Sequence, residues 1–233
     1  MIDFALNTSP IKGQPQPCAD ALLSSTLFTA VWADSGVGIK GRHVDPTGMA
    51  VGQEFPVSDT SPADVTERRW PFADSTGVQT FVVWIEQPPS NQPHRAPHVV
   101  LRRIIDSPPV GPPVQVGTGS IDPAWPPTVT RTIDGGCLVT WTGGGAQQRI
   151  RAQRFGPDCR KEGSEIAVNT SEALHGKATV TLLSNGDFVV GGPMARCRAA
   201  ADSSTGSSPA TAHREPVRST PTSWDSDSRA EAY

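Results

Sequence analysis

The sequence predicts an all-β fold, a β-propeller-like array of about four four-stranded units, the last one incomplete. Three observations predict it: an internal repeat of about fifty residues, strands that are apolar on both faces, and a high content of proline and glycine. Short strands joined by tight turns would produce all three features together.

Proline and glycine are the first of these observations. The chain has 23 prolines and 22 glycines among its 233 residues, about 19 %, where the average for the pair is roughly 12 %. Proline removes a helical hydrogen-bond donor and glycine is entropically costly in a helix, so long uninterrupted helices are excluded. Composition alone leaves two possibilities open, a disordered chain or many strands joined by turns.

An apolar segment that ends in, or aligns with, a tryptophan recurs along the chain and favours strands. It occupies residues 28–32, 81–84, 138–141 and 188–191. The intervals between the last residues are 52, 57 and 50 positions, and those residues are Trp32, Trp84, Trp141 and Gly191. The longest interval contains a proline-rich insertion at 87–97. A constant phase of this kind predicts one structural unit per cycle.

Three further elements recur in the same phase and complete the unit. One precedes the tryptophan segment, at 17–22, 70–73, 127–130 and 178–182. Another follows it, at 39–44, 100–105 and 150–155. The last lies at 4–7, 55–58, 114–117 and 166–169. Asp-Gly and Asn-Gly pairs, which favour hairpin turns, come directly before two of the tryptophan segments. Each unit is therefore predicted to hold four short strands.

The tryptophan segments predict how the units pack. In residues 81–84 and 138–141 both faces of the strand are apolar or nearly so, and such a strand must be covered on both sides. Residues 39–44 and 150–155 alternate more, as a more exposed strand does. A four-stranded unit covered on both faces by its neighbours is typical of a propeller blade. A linear stack or a sandwich of the same hairpins is the alternative.

The pattern stops after residue 190. Residues 193–233 contain no Leu, Ile or Phe, so this segment cannot bury enough apolar area to offset its ordering entropy. We therefore predict two regions, a β-repeat domain at 1–192 and a low-complexity, disordered tail at 193–233. A reading-frame change within the fourth unit is a second explanation for the abrupt end.

Charge and cysteine content exclude several classes of function. The net charge is −3 without a long run of one sign, which disfavours nucleic acid and anionic membranes as partners. The apolar segments are too short for a membrane-spanning helix, and the first residues do not resemble a signal peptide. We therefore expect either a cytoplasmic protein or part of a longer exported one. Cys18, Cys137, Cys159 and Cys197 lack metal-like spacing, and either unpaired thiols or one disulfide fits them.

Several motifs resemble binding or catalytic sites, but a structural role explains each of them better. Residues 36–41 match G-x-G-x-x-G, but a strand follows where a phosphate loop needs a helix. His94 and His98 flank prolines in the insertion, and no third metal ligand is nearby. Residues 132–136 resemble the Asp-box turn of sialidases in one copy only. Asn169, in a glycosylation sequon, is expected to cap its own turn. We therefore predict no catalytic residue, no metal, no cofactor and no enzymatic activity.

Two tryptophans remain as candidate ligand-binding residues. Trp70 and Trp125 lie outside the tryptophan strands, and each precedes a proline at a similar phase of the repeat. Aromatic side chains in repeated loops suit carbohydrate, so a lectin-like propeller is one alternative function. A propeller glycoside hydrolase is a minor alternative, because no pair of carboxylates can be named from the sequence.

Several segments resemble the repeats of large bacterial secreted and surface proteins that are often fused to hemolysin-type (RTX) calcium-binding modules. The matching segments are 45–48, 51–55, 150–155, 166–170 and 183–190, and the resemblance spans about residues 3–192. It departs at the insertion 88–97 and at Gly191, and the calcium-binding nonapeptide of RTX modules does not occur. The resemblance implies a non-enzymatic module of an extracellular or cell-surface protein, used for adhesion, display or spacing. Its partners would be carbohydrate or further copies of the repeat.

Overall fold

The described part of the chain consists of β-strands. The structure, a computed structural model, describes residues 18–21, 27–34, 38–59, 67–77, 79–89, 91–92, 95–105, 109–145, 149–169 and 176–191. Within these ranges there are fourteen strands and no helix, so no helix there could cross a membrane. The all-β prediction is confirmed. The predicted strand at 4–7 and the predicted tail at 193–233 lie outside the described residues.

The strands form three four-stranded sheets and one hairpin, all antiparallel. The first sheet contains β1 (Cys18–Ala21), β2 (Phe28–Asp34), β3 (Gly38–Val44) and β4 (Ala50–Pro56). The second contains β5 (Glu67–Ser75), β6 (Thr80–Gln87), β7 (His98–Ile104) and β8 (Pro109–Gln115). The third contains β9 (Thr128–Arg131), β10 (Cys137–Thr142), β11 (Ile150–Phe155) and β12 (Lys161–Ala167). The hairpin contains β13 (Thr179–Leu182) and β14 (Phe188–Gly191). Four strands in each of the first three units agree with the prediction, and the described part of the fourth unit contains two strands.

Alternate side chains of β6 pack into two different apolar cores. Val82 and Trp84 pack with Val31 and Ile39 of the first sheet. Their neighbours on β6 face the other way and pack with Val139 and Trp141 of the third sheet, and these neighbours are Phe81, Val83 and Ile85. The prediction that the tryptophan strands are covered on both faces is confirmed, and the second sheet lies between the other two.

The first strands of successive sheets contact one another. β5 contacts β1 on one side and β9 on the other, and β9 also contacts β13. This places the first strand of each unit beside the first strand of the next. Because no sheet closes the array within the described residues, a propeller ring is not confirmed by the structure.

A β-bulge recurs at one position of each complete sheet. The third strand shifts register against the fourth, and the side chain at the bulge donates a hydrogen bond to a glycine carbonyl on the fourth strand. The N···O distances are 3.0, 3.0 and 3.3 Å for Arg42 to Gly52, Arg102 to Gly111 and Gln153 to Gly163. These glycines have φ of 71°, 76° and 66°. Residues other than glycine rarely adopt this backbone conformation. The repeat therefore includes a bulge as well as four strands.

Gly117 is required where the second sheet meets the third. A Cβ atom there would lie 2.8 Å from Cζ2 of Trp141. We expect Gly117→Ala to lower the free energy of unfolding by about 1–3 kcal/mol, because the buried indole would have to shift. Chemical denaturation followed by circular dichroism measures this, and Gly119→Ala is the control, since a Cβ at Gly119 has no neighbour within 4 Å. Equal losses in the two variants would contradict the explanation.

Asp74 links the second sheet to the third. Its Oδ2 accepts hydrogen bonds from the backbone N–H of Arg131 at 2.7 Å and from Oγ1 of Thr130 at 3.1 Å. Nη1 of Arg131 lies 3.4 Å from Oδ1 of the same carboxylate. This carboxylate therefore fixes the position of β9 against the end of β5.

The side chains of Cys137 and Cys159 are buried free thiols, whereas those of Cys18 and Cys197 lie outside the described residues. Burial raises the pKa of the Cys159 thiol to about 11 and that of Cys137 well above its ordinary value. At pH 8 we expect iodoacetamide to leave both thiols unlabelled in the native protein and to label them in denaturant, because the thiolate is the reactive form. Peptide mass mapping detects the label, and labelling without denaturant would contradict the burial.

Candidate functional site

Cross-strand register brings three polar side chains into a row on the second sheet. Arg68 on β5 lies opposite Glu86 on β6, and Glu86 lies opposite His98 on β7. Nε of Arg68 donates to Oε1 of Glu86 at 2.8 Å, and Nε2 of His98 lies 3.7 Å from Oε2 of the same carboxylate. The row lies where β5 and β7 begin and β6 ends. We call Arg68, Trp84, Glu86 and His98 the Arg68 cluster.

The fourth member of the Arg68 cluster comes from the apolar core. Trp84 is fully buried, and its Nε1 donates to Oε1 of Glu86 at 3.1 Å. Oε1 of Glu86 therefore accepts two hydrogen bonds, one from the indole and one from the guanidinium of Arg68. These bonds fix the carboxylate in one orientation.

The guanidinium of Arg68 is buried and only partly bonded. The Arg68 side chain is 6 % exposed, Glu86 is 13 % exposed and His98 is 22 % exposed. Nη2 of Arg68 is buried without a hydrogen-bond partner. A buried donor left unmet costs free energy, since its bonds to water have been lost. The Arg68 cluster therefore holds a buried donor without a protein acceptor, and His98 is the most exposed of its three polar side chains.

The first sheet forms the opposite wall of the cluster. Gly38 has a φ of 109°, and a Cβ there would lie 3.2 Å from Nη1 of Arg68 and 2.3 Å from Oγ of Ser58. That hydroxyl accepts the backbone N–H of Ile39 at 2.9 Å. Glycine at position 38 thus allows the first sheet to approach Arg68 closely.

The two predicted ligand-binding tryptophans lie apart from this cluster. Trp70 has a φ of 57° within a bulge of β5, and it packs against the core between the second and third sheets. Trp125 is half-buried in the connection between β8 and β9, where its N–H bonds the carbonyl of Asp122 at 3.3 Å. Ligand binding by Trp70 and Trp125 stays a prediction.

His98 and Asn169 make contacts that the sequence does not predict. His98 begins β7 and faces Glu86 instead of lying in an exposed insertion, while His94 lies outside the described residues. Asn169 does not simply cap its own turn, because its Oδ1 accepts the backbone N–H of Ile150 on β11 at 2.7 Å. Among the described residues, no three or more His, Cys, Asp or Glu side chains come together as metal ligands.

Asp134, in the turn that resembles an Asp-box, has a structural role. Burial raises the pKa of this carboxyl, but hydrogen bonds from Thr132 and Arg154 and the charge of Arg154 lower it below its usual range overall. A general acid in glycoside hydrolysis needs a raised pKa. Asp134 therefore holds the β9–β10 hairpin, as the sequence predicts. Residues 38–41 of the glycine-rich motif lie in β3, which confirms a strand where a phosphate loop needs a helix.

A cleft of about 360 Å³ lies at the other end of the first strands. Asp74, Thr130 and Arg131 line one side of it, and the hairpin at 181–184 lines the other. The oxygens of Asp74 already accept hydrogen bonds from Thr130 and Arg131. The carboxylate of this cleft is therefore engaged in holding β9 to β5.

The sequence contains a weak signal for the Arg68 cluster. Glu86 and Gln87 directly follow a fully apolar segment, and Arg68 and Arg69 directly precede the apolar part of β5. Charged residues at the ends of buried strands favour a polar site at a sheet end. Pairing Arg68 with Glu86 and His98 additionally requires the register of three strands.

Comparison with known proteins gives a similarity of fold at low identity. No family model matches the chain, and no curated protein matches it significantly. An α-L-arabinanase of Cellvibrio cellulosa complexed with arabinohexaose is 12 % identical with a TM-score of 0.43, covering 62 % of this chain and 55 % of its own. An exo-1,5-α-L-arabinanase from a bovine ruminal metagenomic library is 13 % identical with a TM-score of 0.42, covering 65 % and 55 %. The GH43 BlXynB protein of Bacillus licheniformis is 11 % identical with a TM-score of 0.36, covering 77 % and 49 %.

These comparisons correct one prediction and leave another open. The chain spans about half the length of these solved structures. Two of the three are named as arabinanases, which contradicts the prediction that this chain is not an enzyme, and that exclusion is withdrawn. The resemblance to repeats fused to RTX modules stays a prediction.

Proposed function

We propose that this chain binds carbohydrate through the Arg68 cluster, within a propeller-like arrangement of its sheets. One observation carries the proposal. Arg68 is buried beside Glu86 and His98, at the ends of three strands, with Nη2 unbonded. A polar ligand that reached this point would supply the missing partner.

The chemistry of the cluster suits a polyol. Each sugar hydroxyl both donates and accepts hydrogen bonds, while guanidinium donates only and carboxylate accepts only. Arg68 and Glu86 together provide both kinds of partner, and His98 provides either according to its tautomer. Because Trp84 and Gly38 hold these groups in place, little side-chain entropy would be lost on binding.

The contacts between the first strands support the propeller-like arrangement. In a propeller the first strand of every unit lies next to the axis, and here β1, β5, β9 and β13 follow one another in contact. Ligands are commonly bound where several elements end together. The Arg68 cluster lies at such an end, where β6 ends and β5 and β7 begin.

Calorimetric titration with arabinohexaose and with xylo-oligosaccharides tests carbohydrate binding. We expect measurable binding that Arg68→Gln weakens at least about tenfold, because a hydrogen bond to a charged group contributes roughly 1.5–3 kcal/mol. Arg160→Gln is the matched control, since Arg160 is 88 % exposed and pairs only with Asp158 among the described residues. Equal binding by both variants, or none by the unaltered chain to a broad glycan panel, would overturn the proposal.

Release of reducing sugar from the same oligosaccharides tests glycoside hydrolysis in parallel. Glu86 is the carboxylate of the cluster, so any turnover at this site should be lost in Glu86→Gln. Turnover that persists in this variant would place the reaction elsewhere, whereas binding without turnover would leave a carbohydrate-binding role.

A further inference from the structure

The Arg68 cluster contains more hydrogen-bond donors than acceptors. The guanidinium of Arg68 has five N–H donors, and among them the Nε donor reaches a protein acceptor, Oε1 of Glu86. Nη2 carries two of the others and is buried without a partner. Trp84 adds one more donor to the cluster.

A single carboxylate oxygen of the cluster, Oε2 of Glu86, remains as an acceptor beside the unused donors. Oε1 of Glu86 accepts from both Arg68 and Trp84, and Oε2 faces Nε2 of His98 at 3.7 Å. Oγ of Ser58, which follows β4 and lies close to Gly38, accepts the backbone N–H of Ile39. A ligand group that also donates would find few acceptors here, whereas a group that only accepts would match the unused donors.

Arg69, on the other face of β5, also has more hydrogen-bond donors than acceptors. Nη2 of Arg69 lies 3.2 Å from Oε2 of Glu67 and 3.4 Å from Oε1 of Gln87. Its Nε is buried without a hydrogen-bond partner. Each of these two consecutive guanidinium groups pairs with one carboxylate, and each keeps an unbonded donor where β5 begins.

From these contacts we infer that the Arg68 cluster takes a carboxylate, so that its preferred ligand is an acidic oligosaccharide containing uronic acid. The inference rests on the proposed carbohydrate binding and specifies its substrate class. With Nε bonded to Glu86, the Nη1 and Nη2 end of Arg68 remains as a fork, which matches two oxygens of one carboxylate. A carboxylate is acceptor-only, so it meets donors without adding one. The charge of Arg68, which the ligand carboxylate would contact directly, opposes its repulsion by Glu86.

A pair of ligands that differ only at the C6 carboxyl group tests this inference. A short galacturonic acid oligosaccharide and its carboxyl-reduced, neutral form are titrated against the whole chain by calorimetry. We expect the acidic form to bind at least about tenfold more tightly, as a charge-assisted pair does over a neutral hydrogen bond. Arg68→Gln should remove this preference, whereas Arg160→Gln should keep it.

Each outcome separates this inference from the proposed function. Equal binding of the two forms, or tighter binding of the neutral one, would overturn the acidic preference and leave carbohydrate binding standing. Binding of neither form, nor of arabinohexaose, would overturn both. Equal losses in Arg68→Gln and Arg160→Gln would point to general charge attraction and would also overturn the inference. Arg68→Lys, which keeps the charge but not the fork, should retain binding with a reduced preference, and circular dichroism verifies that each variant folds.

Discussion

Replacement of Trp84 by alanine is expected to lower the free energy of unfolding by about 3–5 kcal/mol, the usual cost of removing a buried aromatic side chain. Trp84 is fully buried between the first two sheets and packs against Val31 and Ile39. Its loss leaves a cavity in that core and also removes one of the two hydrogen bonds to Oε1 of Glu86. The first sheet should therefore lose part of its attachment to the second.

Guanidinium denaturation followed by far-ultraviolet circular dichroism measures this effect without relying on tryptophan fluorescence. Trp125→Ala is the matched control, because Trp125 is half-buried in a connection, and we expect it to lose less. Trp84→Phe keeps much of the volume but not the indole N–H, so its loss should be intermediate. A Trp84→Ala variant as stable as Trp125→Ala would show that this interface contributes little.

Replacement of Asp74 by alanine is expected to lower the free energy of unfolding by about 2–4 kcal/mol, because buried donors then lose their acceptor. The backbone N–H of Arg131 and the hydroxyl of Thr130 would both be left without Oδ2. Asp74→Asn keeps one carbonyl oxygen and should therefore lose less than alanine does.

The same denaturation experiment distinguishes the loss of these hydrogen bonds to Asp74 from a general effect of removing a carboxylate. Asp187→Ala is the control, because Asp187 is exposed in the β13–β14 turn and bonds Asn185 within that turn. We expect its stability to change little, as is usual for surface substitutions. Similar losses in the two alanine variants would contradict a special role of Asp74 between the sheets.

The strands could be predicted because their pattern is local. The segments ending at Trp84 and Trp141 are apolar on both faces, and both lie buried between neighbouring sheets. The phase of the repeat then assigned the strands before and after each of them. Closure of the array into a ring is a relation between sheets, and a repeat within the sequence does not determine it.

The Arg68 cluster could not be predicted because it depends on register. Arg68 is 18 positions from Glu86 along the chain, and the two meet only when β5 pairs with β6 in one alignment. A bulge between Arg69 and Phe72 interrupts that alignment, so alternation along β5 does not show which face each residue occupies. The sequence instead favours Trp70, a residue of the bulge itself, because a large aromatic residue before a proline is a local feature.

The simple strand order of the sheets has a consequence for folding kinetics. In every sheet each strand pairs with its neighbour in sequence, so most pairings close short loops, and the entropic cost of bringing the strands together is small. A single sheet nevertheless keeps an apolar face in water until the next one forms. Folding is therefore expected to spread from one unit to its neighbour, as in other repeat proteins.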